Sequence, residues 1–123
     1  MATNQFSRHN KQNISDNSSS PTAIFTMTAG ASNSAKASII IGALVCNKTA
    51  TAATISIKNN TAVSGEQDIF LVKDLKIPAA SSIEIGMGKY VMKHDGTNGD
   101  VIEAYASAAS TFDISLSVLE DVN

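Results

Sequence analysis

Ser38-Ile-Ile-Ile-Gly-Ala-Leu-Val-Cys-Asn47 is the longest apolar run in the chain, and its reading decides the fold. Both of its alternating sets are apolar: Ile39, Ile41, Ala43 and Val45 on one side, Ile40, Gly42, Leu44 and Cys46 on the other. A strand with one face in water alternates apolar with polar residues. This one is therefore expected to be covered on both faces, by a second sheet on one and by a further surface on the other. Its β-branched residues and the Asn47-Lys-Thr turn that closes it favour strand over helix. At about ten residues it is too short to cross a bilayer.

Working outward, the turn Asn47 to Thr51 predicts antiparallel pairing with a next strand, Ala52 to Asn59. Further strands are expected at Ala23 to Thr28, Asp68 to Ile77, Ser82 to Met87, Tyr90 to Met92, Asp100 to Ala106 and Thr111 to Leu119. The last is the cleanest, with Phe112, Ile114, Leu116 and Val118 alternating against Asp113, Ser115 and Ser117. Gly, Asn, Ser and Pro fill the gaps, and no amphipathic helix of any length interrupts them. About eight short strands at near-regular spacing predict an all-β, antiparallel β-sandwich of jelly-roll or Greek-key (immunoglobulin-like) kind. Its core is expected to hold Ile55, Ile57, Ile83, Ile85, Phe112, Ile114 and Leu116 beside the central strand.

Residues Met1 to Thr22 are polar, with Phe6 and Ile14 the only sizeable apolar side chains after Met1. Such a segment buries too little to offset its own ordering entropy. The expected organisation is an extended N-terminal arm over 1–22 and a sandwich domain over 23–123. On that reading Phe6, Arg8, His9, Lys11 and Ile14 touch neighbouring subunits, and Ile40 and Leu44 of the central strand join them as assembly contacts.

The 123 residues are enough for one self-supporting domain. Charged residues make up 16%, against roughly 25% in an average soluble domain. A weakly charged surface lacks the repulsion that keeps copies apart, so the composition leans toward assembly and a homo-oligomer. A net charge of −2 speaks against nucleic acid as the main partner. The lone Cys46 reads as a small buried hydrophobe, and the N-terminal residues hold no apolar core of signal-peptide type.

Little chemistry is legible. Asp95, Asn98 and Asp100 offer hard oxygen ligands, but their spacing fails the calcium-loop pattern and their dipeptides are common turn formers. His94 and Asp95 are adjacent, so on a strand they point to opposite faces. No nucleophile is marked by context, and neither catalytic residues, metal nor cofactor is expected.

The segment Ile39 to Leu119 resembles small β-sandwich virion proteins of tailed bacteriophages. The likeness is carried by Ile41-Gly-Ala-Leu-Val-Cys-Asn-Lys-Thr-Ala-Thr51, by Ile69-Phe-Leu-Val-Lys-Asp-Leu-Lys-Ile-Pro-Ala-Ala-Ser-Ser82, and by the ending Ile102 to Glu120. It implies a non-enzymatic structural protein, a capsid decoration or cement protein or else a neck or tail accessory. It also implies other virion proteins as partners, the major capsid protein first among them, and a trimer as the first expectation for a shell-capping protein. The expected location is the virion, after synthesis in the host cytoplasm, with no membrane partner. A sugar-binding or adhesion module is the competing reading, weakened by 5% aromatics and no Trp.

Overall fold

A computed structural model describes residues 5–27, 37–61, 63–94 and 99–122. Eight strands are described: β1 (Gln5–Lys11), β2 (Thr22–Thr26), β3 (Ala37–Asn47), β4 (Ala53–Asn60), β5 (Ile69–Ile77), β6 (Ser82–Met92), β7 (Val101–Ala106) and β8 (Phe112–Val122). One sheet runs β1-β8-β3-β6 and the other β2-β7-β4-β5, with every pairing antiparallel. The pairs nest: first with last, third with sixth, second with seventh, fourth with fifth. This is the winding of a jelly roll, one of the two kinds of sandwich expected from the strand spacing.

The core lies between the sheets because one alternating set from each strand points there. From β8 come Phe112, Ile114, Leu116 and Val118; from β7, Ile102, Ala104 and Ala106; from β4, Ala53, Ile55 and Ile57. Ile40, Ala43 and Val45 of β3, with Ile14, Met27, Met92, Ile77 and the neighbouring pair Ile24 and Phe25, complete it. That Ile24 and Phe25 are both buried follows from a bulge between Ala23 and Phe25, which breaks the two-residue period of β2.

Several expectations need correction. The boundary at Thr22 is not a domain boundary. Gln5 to Lys11 pair residue by residue with Glu120 to Ile114 of β8, so the supposed arm supplies the outermost strand of one sheet. Ile14 is fully buried, and Ser110 N donates to its carbonyl at 3.1 Å. Ala106 N donates to Ser15 O at 2.8 Å, which closes the end of the sandwich with the same segment. An edge strand lying at the margin of the core needs no apolar alternation, which is why β1 left no periodic signal.

β3 and β4 do not form a hairpin, for they belong to different sheets. The connection between them is a corner built on Asn47, which is fully buried. Its Nδ2 donates to Thr51 O at 3.0 Å and Ile77 O at 3.1 Å, and its Oδ1 accepts from Thr49 N and Thr49 Oγ1. The two expected strands at Ser82 and Tyr90 are one strand, β6, carrying a bulge in which Lys89 takes a φ of 59°. Of the expected core, Ile83 stands at the edge, 36% exposed, while Ile85 packs against the core from a partly buried position.

Candidate assembly surface

The β1-β8-β3-β6 sheet has one face on the core and one face that no other element of the described chain covers. Its outward residues form a grid fixed by strand register. The first row is Phe6, Leu119, Ile39 and Val91, one residue from each strand in order across the sheet. Phe6 is 76% exposed and Val91 47%, with Leu119 and Ile39 half-buried between them. The second row is Arg8, Ser117, Gly42 and Gly86, and the third is Asn10, Ser115, Leu44 and Glu84. Successive rows lie two residues apart along β1 and β8, about 7 Å, while the bulges add residues between the first and second rows on β3 and β6.

The bulge in β3 explains how apolar residues reach this face. Between Ile40 and Gly42 the register shifts against both neighbours: Ile41 is an extra residue on β3 opposite β8, whereas opposite β6 the longer segment is on β6, where Met87 to Lys89 face Ile41 alone. Ser38 and Ile40 point inward before it, and Ala43 and Val45 point inward after it. Ile41 is left 44% exposed and Leu44 51%. The expected two-sided apolar strand is therefore real, but among the described residues only its inner face is covered. Cys46 sits half-buried on the outer side, not in the core as expected.

The seven expected contact residues separate into three groups. Phe6, Arg8 and Leu44 are exposed on the outer face, and Lys11 is exposed at the end of β1 beside a shallow groove lined also by Arg8, Leu44, Cys46 and Asp113. His9 points the other way: its ring packs on Phe25 at 4.3 Å between centroids, and Nε2 lies 3.2 Å from the Glu120 carboxylate, which also accepts from Ser7 Oγ. Ile14 and Ile40 are fully buried in the chain's own core and are unavailable to any neighbour. Ile40 and Leu44 were grouped on one face by counting in twos, and the bulge puts them on opposite faces.

Ile39, Val91, Leu119 and Glu84 belong to the face and were not anticipated. For Leu119 the signal was present: it is in phase with Asp113, Ser115 and Ser117, an apolar residue on the polar side of the most regular strand. For Val91 none was, because the β6 bulge hides its phase.

The charges on this side are few. Lys48 pairs with Asp113 at 2.9 Å beyond the third row. Among the described residues, neither Arg8 nor Glu84 has an ion-pair partner in its own chain. Among the described residues, no group of three or more His, Cys, Asp or Glu is placed to hold a metal ion. Asp95 and Asn98, considered above as ligands, lie outside the described residues. Asp100 is buried and satisfied, accepting from Thr61 Oγ1 at 2.7 Å and from Lys93 N at 3.0 Å.

No family model matches the chain, and no curated protein matches it. Among solved structures it is similar to a chain in the structure of infectious bursal disease virus, Gx strain, at 12% identity with a TM-score of 0.49. The match covers 98% of this chain and 32% of that one, so this chain spans about a third of its length.

Proposed function

We propose that this protein is a non-enzymatic structural component of a tailed-phage particle, bound to the assembled shell as a decoration or cement protein. The observation that carries the reading is the outer face of the β1-β8-β3-β6 sheet, which no described element covers and where an apolar row crosses all four strands. Contiguous apolar surface of this kind marks protein association sites, because leaving it in water costs free energy. The jelly roll is also an architecture that viral shell domains use, and the sequence resemblance points to phage virions. The partners on this reading are the other virion proteins, the major capsid protein first. A place at the neck or tail uses the same surface and differs in copy number.

One observation favours a sugar-binding or adhesion module instead. Phe70 and Tyr105 meet on the outer side of the other sheet, with ring centroids 6.3 Å apart. Their planes stand at 76°, however, and Lys73 Nζ sits 5.4 Å from the Phe70 centroid. The two rings therefore offer no shared platform for a sugar face, and the structural reading is the stronger.

The test is to assemble particles without this protein and compare their resistance to heat and osmotic shock with particles to which it has been added back. A cement protein restores resistance. Equal resistance with and without it removes the cement role.

A further inference from the structure

The outer face is complementary to itself in one orientation. We infer that two copies of this chain pair face to face through their β1-β8-β3-β6 sheets, about a two-fold axis parallel to the strands. The inference does not rest on the virion reading, since a chain that never enters a particle can pair in this way.

A two-fold axis along the strands lays β1 of one copy over β6 of the other and β8 over β3, keeping each row at its own height. The apolar row then meets itself, with Phe6 over Val91 of the partner subunit and Leu119 over Ile39 of the partner subunit. Arg8 and Glu84 are the only charged residues in the three rows. They sit on opposite edge strands, one row apart, a gap that an arginine and a glutamate side chain together close. The axis brings Arg8 to Glu84 of the partner subunit, twice by symmetry. Each is exposed and, among the described residues, has no ion-pair partner in its own chain.

An axis across the strands does the reverse. It stacks β1 on β1, sets Arg8 against Arg8 of the partner subunit, and lays the apolar row on the polar third row. Charge and apolarity therefore select the same axis. The middle of the face also suits close approach. Gly42, Gly86 and Ser117 keep it low beside the projecting Ile41 and Leu44, and open space stands where a side chain at Gly86 would be.

Four strands about 4.8 Å apart and three rows about 7 Å apart give the face roughly 400 Å² in plan. A standard interface buries about 800 Å² per partner, so the pair is a concentration-dependent dimer rather than a permanent one. It is also a two-fold assembly, where the sequence resemblance led to the expectation of a trimer.

The experiment is sedimentation equilibrium of the full chain from micromolar to millimolar concentration. Wild type is expected to show a reversible monomer–dimer equilibrium. Arg8→Glu or Glu84→Arg alone should weaken it by about tenfold or more, because each places like charges opposite one another. The double variant should return to near wild-type affinity, since the swapped charges meet again across the axis. Leu44→Ser, which leaves the charges alone, should weaken dimerisation as well and covers the case of a charge variant that folds poorly. A strict monomer at every concentration overturns the inference. So does a trimer, a dimer indifferent to the single substitutions, or a double variant no tighter than either single one.

Discussion

Phe6 and Phe112 are the same residue type put to opposite uses. Phe112 is fully buried at the start of β8, with Ile114 and Leu116 following it on the inner face. Phe6 is 76% exposed and belongs to the outer row. Phe112→Ala removes a large buried ring and leaves a cavity, and should cost about 3–5 kcal/mol in denaturant unfolding. Phe6→Ser should change unfolding by less than about 0.5 kcal/mol, as exposed substitutions do. If the two variants lose similar stability, the assignment of the faces is reversed. Position alone separates them, and in β8 position was legible because strict alternation persists from Phe112 to Val118. At Phe6 it was not, since the residues around it are polar on both sides.

At the scale of elements, legibility followed regularity. β7 and β8 keep a clean period of two, and β8 was read with the right residues inward. β2, β3 and β6 each carry a bulge, and a bulge shifts by one the face that every later residue occupies. That single effect misplaced Ile40 and split β6 in two. β1 was missed for a different reason: its support comes from ladder bonds to β8 and from contacts such as His9 on Phe25, neither of which has a local sequence signature. Reading eight strands was thus right in number through two opposite errors, one strand divided and one omitted. If β1 is integral, deleting residues 1–11 uncovers the β8 edge and lowers the melting temperature by about 4 °C or more, the shift that a loss of 1 kcal/mol gives in a domain near this size. An unchanged melting temperature would mean that the segment is an appendage after all.

The whole molecule joins a well-filled sandwich to one face that none of its described elements covers. Its weak charge, 16% of residues with a net −2, does little to hold copies or partners apart. The fold class and the inner faces of the regular strands could be read from composition and alternation. The face itself could not, because it is assembled by register from strands far apart in sequence. Pairing through that face and membership of a particle are separate claims, and a dimer in solution would leave the second undecided. The direct measurement is the copy number of this protein in density-gradient-purified particles, by quantitative mass spectrometry against the major shell protein. A decoration or cement protein should sediment with the particles in numbers on the scale of the shell's own subunits. Recovery only in the soluble fraction, with none in the particle band, would contradict the account.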